Sequence, residues 1–308
     1  MTGLIINRSV RSVLTILAVV TLVFVFLRSA GDPAAILLSE NADAATIELY
    51  RQRWGLDKPL WQQYATYMLN LAHGDFGRSY VDGRNALDIV LAHLPKTLQL
   101  GIGALALAVI LGIPAGVLAA IHQGRWPDRL VMTLAVIGHS VPTFFVGLVF
   151  IVVFSLFLRW LPSSGAGSLR HLVMPTVTLA LWLAATLARV TRAAVVEALG
   201  EPYMKTARAK GLPLSERVFR HALPNAAIPI VTVLGLSAGH LIAGAVIVET
   251  VFAWPGIGRL TVTAVATREL ALVQTIVILV AIAMVLSSLL VDILYGILDP
   301  RLRRPPDA

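Results

Sequence analysis

The sequence predicts an all-α, polytopic integral membrane protein with six transmembrane helices, and three observations carry that expectation. Hydrophobic residues make up 57% of the 308 and charged residues only 14%, where a soluble domain has about a quarter charged. The apolar residues are gathered into six long runs that contain no Asp, Glu, Lys or Arg. Basic residues flank those runs unevenly, the pattern of a chain that crosses a bilayer repeatedly. Within lipid each backbone N–H and C=O must be met inside its own segment, so such runs are helices.

The first run, 12–27, follows Arg8 and Arg11 and ends at Arg28. It is somewhat short of the ~20 residues a spanning helix needs, and Arg11 and Arg28 can snorkel to make up the length. A basic start and the small residues after the run also fit a cleaved signal peptide. Arg28 interrupts the pattern that cleavage requires, however, so the expectation is a retained span. Residues 29–95 contain no spanning run and are read as lying outside the bilayer, with amphipathic helices near 50–56 and 61–73 and a turn at 74–77. His73, Asp75 and Asp82 are read there as loop and capping residues, since no spacing brings three metal ligands onto one face. Five further runs follow, at 97–124, 130–158, 172–188, 222–248 and 270–291. Pro114, Pro142, Pro175 and Pro229 either bend them or mark their ends. Gly112 and Gly116 form a GxxxG, which points to close helix packing rather than pore lining.

The short flanks set the orientation. Arg8, Arg11, Arg125, Arg129, the basic residues from Arg189 to Arg220, and Arg301, Arg303 and Arg304 all fall on one side. The opposite short loops hold only Arg159 and Arg170 in one and Arg259 and Arg268 in the other. Both termini are therefore expected in the cytoplasm. The chain divides into 1–94, the first span plus a long extracytoplasmic segment; 95–298, a five-helix core with a cytoplasmic loop at 197–225; and 299–308, a cytoplasmic tail.

Polar side chains within the runs are costly and suggest function. His139, Ser140 and Thr143 in the third run and His240 in the fifth are candidate pathway-lining residues. Hydrogen bonding to a neighbouring helix accounts for the two histidines equally well. Glu249 and Asp292, near run ends, are read as structural carboxylates hydrated at the interface.

Several chemistries are excluded. The formal charge of +8 is spread over helix flanks, without the concentrated basic patch and interleaved aromatics of a nucleic-acid binder. There is no cysteine, which removes disulfides, zinc-thiolate sites and thiol catalysis. None of the four lysines, Lys58, Lys96, Lys205 and Lys210, lies in a G-x-x-x-x-G-K-[ST] loop, so the chain carries no P-loop for ATP. H-E-x-x-H and G-x-S-x-G are absent, and Ser163-Ser164-Gly165 near His171 is read as a flexible outer loop. No catalytic, cofactor-binding or metal-ligating residue is assigned.

The most informative stretch is polar and lies between two apolar runs: 197–225, EALGEPYMKTARAKGLPLSERVFRHALPN. Pro202 suits the first turn of a helix, where its missing N–H would be unpaired anyway. Gly211 ends that helix in the left-handed conformation, with Leu212 covering the last turn and Lys210 placed favourably against the helix dipole. Pro213 and Ser215 start a second helix that reaches Ala222, and Leu223-Pro224 is read as its stop, with Pro224 opening the next element. Tyr203, Ala207 and Gly211 recur at i, i+4 and i+8 and form a narrow face able to enter a groove on another protein, while Lys205 and Arg208 share another face. On the residues alone, a basic connecting loop remains the alternative.

Gly211, nine residues, His221, one residue and then Leu223-Pro224 resembles the EAA loop of the membrane subunits of ATP-binding-cassette (ABC) importers. The Glu-Ala-Ala of that loop falls on Lys205, Thr206 and Ala207, and its isoleucine on His221. These departures are similar to the dipeptide/oligopeptide/nickel branch, in which a Thr-Ala-Arg-Ala-Lys-Gly-Leu run, here Thr206 to Leu212, is typical. Gly31-Asp32-Pro33, Gly74-Asp75-Phe76-Gly77-Arg78-Ser79, Glu249-Thr250-Val251-Phe252 with Pro255-Gly256-Ile257-Gly258, and Asp299-Pro300-Arg301 fit that branch in order.

The resemblance implies the type I importer permease fold and a non-enzymatic role in the cytoplasmic membrane of a bacterium or archaeon. The chain would be a transmembrane permease subunit of an ATP-driven importer, forming half of the pathway for a peptide-like solute. A di- or oligopeptide comes first among solutes, and a nickel chelate or other small solute second. Its partners would be a second homologous permease, two cytosolic ATPase subunits and an extracytoplasmic solute-binding protein. ATP and Mg would be bound by the ATPase subunits, with no cofactor in this chain. The residues implied in ATPase coupling are Tyr203, Lys205, Thr206, Ala207, Arg208, Ala209, Lys210, Gly211, Leu223 and Pro224. An ion-coupled secondary transporter is the alternative; it would need coupling-ion sites near mid-membrane and often an inverted repeat, and neither is evident. An intramembrane enzyme would need a nucleophile–base pair, which is missing.

Overall fold

The computed structural model describes residues 2–29, 43–53 and 55–298, and most but not all of their side chains. All regular elements among the described residues are helical, apart from an isolated bridge between Arg78 and Asn85. In order they are α1 (Thr2–Ser29), α2 (Ala44–Arg53), α3 (Leu60–Ala72), α4 (Ala86–Ile121), α5 (Trp126–Ser140), α6 (Thr143–Phe157), α7 (Leu169–Gly200), α8 (Pro202–Ala209), α9 (Leu223–Val251), α10 (Ile257–Ala266) and α11 (Leu270–Leu298). A single turn, Leu214–Glu216, and a π-helical stretch, Arg217–Ala222, lead into α9.

Among the described residues, four helices are long and apolar enough to cross a bilayer: α4, α7, the stretch Leu214–Ser237 that runs into α9, and α11. Helices α5 and α6 pass the same test only as a pair, because they meet at 99°. The sequence run 130–158 is thus sharply bent rather than one straight helix. The cause is local: Pro142 disfavours the helical conformation at the residue before it, and Val141 is extended at φ −80° and ψ 125°. Shorter apolar stretches occur at Val13–Phe26 in α1 and in α10.

The chain forms two compact units, one of residues 1–95 with 259–283 and one of residues 96–258 with 284–308. The sequence division at 94/95 does not anticipate that 259–283 groups with the N-terminal segment.

In the first unit, α1 meets α3 through an aromatic cluster. The Phe24 ring lies edge-on to Tyr64 at 5.3 Å and stacked on Tyr67 at 5.5 Å, with the Arg28 guanidinium 5.6 Å above its face. Thr21 and Tyr64 share a hydroxyl hydrogen bond of 2.7 Å. The turn at Gly77–Ser79 closes on itself, the Ala86 N–H donating to the Gly77 carbonyl at 2.9 Å and the Ser79 N–H to the Arg84 carbonyl at 2.9 Å. Asp75 and Asp82 act as turn caps, their carboxylates accepting from the N–H groups of Gly77 and Arg84. Glu269, just before α11, is buried and accepts from the Ser79 hydroxyl at 2.8 Å and from the Tyr80 and Val81 N–H groups at 2.9 Å each.

The second unit is built on α7, which packs against α5, α6 and α9. Its core gathers Leu100, Ala104 and Ala108 of α4, Leu183, Leu187 and Val195 of α7, and Val248, Phe252 and Trp254. Lipid tails give no hydrophobic drive between helices, so close contact must come from small residues. A Cβ added at Gly112 would lie 2.7 Å from the Ala184 carbonyl oxygen, and one at Gly116 would lie 2.6 Å from the Ala188 carbonyl oxygen and 2.6 Å from Thr191 Cβ. The GxxxG is therefore the seam on which α4 meets α7. Gly116→Val is expected to cost ~2 kcal/mol or more through overpacking, read as a lower thermal midpoint of the purified protein, while Gly101→Val, whose added Cβ meets nothing within 4 Å, leaves the midpoint unchanged.

Candidate functional site

The loop between α7 and α9 has the local geometry its residues dictate. Pro202 is the first residue of α8, and Gly211 follows it at φ +79°. The Leu212 N–H donates to the Ala207 carbonyl at 3.2 Å and the Gly211 N–H to the Arg208 carbonyl at 3.0 Å, the paired bonds of a Schellman C-cap. A Cβ at Gly211 would meet nothing within 4 Å, so only the left-handed backbone holds glycine there.

The face made by Tyr203, Ala207 and Gly211 is not uniformly open. Met204 and Ala207 are buried, at 2% and 7% exposure, and Met204 joins Val218 and Ala222 in the core cluster of the unit. Ala207 is thus covered by the chain itself, beneath the exposed residues of α8. Tyr203, Lys205, Thr206, Arg208, Ala209, Lys210 and Gly211 are exposed. With them stand two large apolar side chains that sequence reasoning missed, Leu214 and Phe219, the latter 63% exposed. Their signal was present as apolar residues in a loop otherwise rich in charge.

Leu223-Pro224 does not stop the second helix. The chain runs on through the π-helical stretch Arg217–Ala222 into α9, and Pro224 sits in the first turn of α9. Proline lacks the N–H of a regular ladder and its ring crowds the carbonyl four residues back, so a wider turn before it keeps the helix continuous. The Asn225 side-chain amide donates to the His221 carbonyl at 2.7 Å in that region.

An ion pair that sequence reasoning also missed lies between α5 and α7. Arg192 grips Asp128 with two nitrogens, Nε on Oδ1 and Nη2 on Oδ2, the second at 2.8 Å, and the Gly124 N–H donates to Asp128 Oδ2 at 2.8 Å. Asp128 is buried. Bidentate pairs of this kind fix orientation as well as distance.

The polar candidates within the spans fall at the broken helix. His139 lies in the last turn of α5, its ring stacked on Trp182 at 5.7 Å and its Nδ1 3.4 Å from the Thr186 hydroxyl. Ser140 is exposed beside it and Thr143 opens α6. His240 lies on α9, and its side chain is outside the described set, as is that of Asp292 on α11. Gly31-Asp32-Pro33 and Asp299-Pro300-Arg301 also lie outside the described residues. Glu249 is not hydrated at an interface but fully buried. Thr97 donates its hydroxyl to Glu249 Oε1 at 2.7 Å and accepts the Ile257 N–H at 2.8 Å. A Cβ at Gly256 would fall 2.1 Å from Glu249 Oε1, so the Pro255-Gly256-Ile257-Gly258 turn is glycine-rich because it closes on this carboxylate.

Residues 112–304 match the family described as the binding-protein-dependent transport system inner membrane component, and residues 1–101 match the N-terminal region of such components. The chain belongs to this family. It is 44% identical over 304 residues to the glutathione transport system permease protein GsiC of Escherichia coli strain K12, covering 98% of this chain and 99% of the relative. The same figures hold for GsiC of Shigella dysenteriae serotype 1. Among solved structures, a chain of the MetNI methionine ABC transporter matches with a TM-score of 0.57 at 20% identity, over 68% of this chain and 96% of that one. A chain of an amino acid ABC transporter crystallised with histidines matches at 0.53 and 16% identity, over 68% of this chain and 94% of that one. These likenesses show the type I importer permease fold. The chain is a permease subunit of an ABC importer, a transport component of the bacterial inner membrane.

Two changes separate the turn from the packing beneath it. Gly211→Val forces a β-branched residue into the left-handed region, at more than ~1 kcal/mol, and should misdirect α8 while α7 and α9 still insert. Ala207→Asp places an unpaired carboxylate in the interior of the loop, which should unseat α8 from Val218 and Ala222 at a cost of roughly a few kcal/mol. Both are expected to keep membrane insertion and to lose stimulation of ATPase activity in the assembled transporter. Wild-type stimulation in both would mean that the loop only connects.

Proposed function

We propose that the loop of residues 197–225 is the surface through which the cytosolic ATPase subunits drive this permease. The observation that carries the reading is the set of exposed side chains Tyr203, Lys205 and Arg208 on α8, whose Met204 and Ala207 are buried, with exposed Lys210, Leu214 and Phe219 following it in the same loop. Exposed aromatic and basic side chains on a braced support are what a docking contact needs. Thr206, Ala209 and Gly211 complete that surface, Ala207 sets it from beneath, and Leu223 and Pro224 join it to α9.

In this reading both termini and the loop are cytoplasmic and residues 29–95 are extracytoplasmic. The domains are the N-terminal span with its outer segment at 1–94, the permease core at 95–298 and a short tail at 299–308. A second homologous permease completes the pathway, two ATPase subunits bind ATP and Mg, and an extracytoplasmic binding protein delivers the solute. The solute is a small peptide-like compound, supported by the relation to glutathione permeases. His139, Ser140, Thr143 and His240 line the pathway. Family membership leaves the ion-coupled alternative without support.

The chain has no cysteine, so single cysteines report without background. Val81→Cys and Ser164→Cys should react with an impermeant thiol reagent from outside, and Ser215→Cys only from inside; all three positions are exposed. Labelling of Ser215→Cys from outside would overturn the orientation and the coupling assignment together. The purified permease should hydrolyse no ATP until ATPase subunits are added.

A further inference from the structure

The first unit contains a half-open cleft of about 570 Å³, within the usual size range of small-ligand sites. Three cationic side chains line it, Arg28, Lys58 and Arg78, against one carboxylate, Asp75, which already accepts the Gly77 N–H. Two of the residues that line it, Gln63 and Tyr67, each carry a buried polar group without a partner among the described residues. Gln63 spends its amide nitrogen on the Leu56 and Lys58 carbonyls, at 3.2 and 2.7 Å, which leaves its buried Oε1 as an unused acceptor. The Tyr67 hydroxyl is buried with no hydrogen bond. Burial, reinforced by Tyr64, pushes the Tyr67 phenol up to about 12, so it stays protonated and able to donate.

A buried polar atom without a partner costs free energy comparable to a lost hydrogen bond, and native proteins rarely leave two such atoms among the residues of one cleft without use. Gln63 Oε1 asks for an N–H, the Tyr67 hydroxyl asks for an acceptor, and Lys58 and Arg78 ask for an anion. We propose that this cleft binds a small peptide-like molecule, its free carboxylate held by Lys58, Arg78 and the Tyr67 hydroxyl and an amide or ammonium N–H donated to Gln63 Oε1. The assignment rests on the importer reading only for the choice of solute class. It makes the segment 29–95 a reception site on the outer face, separate from the coupling loop.

The test uses the full chain assembled with its partner subunits in lipid nanodiscs, without solute-binding protein, and measures equilibrium binding of tri-alanine and of tri-alanine amide. Saturable binding of tri-alanine is expected, with the amide at least tenfold weaker and the affinity falling as salt is raised. Tyr67→Phe keeps the ring against Phe24 and should weaken tri-alanine binding about tenfold. Lys58→Gln combined with Arg78→Gln should weaken it at least as much and flatten the salt dependence. Equal binding of the amide, unchanged binding in Tyr67→Phe, or no saturable binding would overturn the proposal. In a second preparation to which solute-binding protein is added, variants that hold tri-alanine normally but fail to capture that protein would also overturn it and make the cleft a protein-docking surface. Gly211→Val on the same preparation separates the two readings: lost ATPase stimulation there, with no tri-alanine binding by the wild type, ends the cleft assignment and leaves the coupling loop standing.

Discussion

A carboxylate withdrawn from water costs several kcal/mol unless donors meet its oxygens, and each unit of this permease contains at least one. Glu269 is 2% exposed and Glu249 is at 0%. The surrounding backbone is shaped by that requirement. Around Glu269, the turn after Gly77 presents two successive N–H groups and a serine hydroxyl to one carboxylate. Around Glu249, Thr97 donates to the carboxylate and receives the Ile257 N–H, so one hydroxyl joins α4, α9 and the start of α10. The Trp254 indole N–H on the Lys96 carbonyl, at 3.0 Å, closes the same corner. Removing either acid's partners would leave a buried charge, which is far more damaging than replacing the whole set by apolar residues.

The same logic gives physical content to strings that look like mere signatures. Gly-Asp-Phe-Gly-Arg-Ser is a turn whose last residue and the two N–H groups after it bind Glu269, and Gly77 lies where a side chain would press on Ala271 at 3.2 Å. Pro-Gly-Ile-Gly is a turn laid directly over Glu249, where a Cβ at Gly258 would also meet the Val246 backbone at 2.5 Å. Glycine at these sites follows from close approach. Along α4 the cause is similar but the neighbour is a helix: Gly112 and Gly116 let the α7 backbone come within contact distance, and dispersion then does what the hydrophobic effect cannot do in lipid.

Much of this was legible in the sequence wherever the cause is local. Charge-free runs located the long helices, and Gly211 with Leu212 announced the C-cap that the backbone adopts. Side-chain surroundings were not legible, because the same residue pattern serves different neighbours. Ala207 reads as a small docking position whether or not its own chain covers it, and here the chain does. Glu249 near a run end reads as an interfacial acid, since nothing in the run reveals that Thr97, 152 positions away, comes to meet it. Pro142 and Pro224 are both prolines within helical runs, yet only the first breaks its helix. The difference lies in whether the chain before the proline can widen its turn, and sequence alone does not show that. Arg192 reads as one of several basic flank residues, and nothing in the sequence pairs it with Asp128 until the fold brings them together.

The ion pair bears on how the proposed docking surface would act on the spans. A helix that merely touched an ATPase would absorb a push by local unfolding, since short helices are marginal on their own. Helix α8 is instead fixed at both ends and from beneath: it continues from α7 with only Glu201 between them, ends in a Schellman cap, and seats Met204 in the same core cluster as Val195 and Val218. In that proposal a displacement at Tyr203 or Phe219 would reach α7 and α9 with little slack. From α7 the bidentate grip of Arg192 on Asp128 carries it to α5, because two parallel hydrogen bonds resist rotation where one would not. His139 lies in the last turn of α5, beside the 99° break before α6. That break is the point along this route where the backbone departs from helical geometry, so motion delivered through α5 can change direction there without breaking a regular ladder.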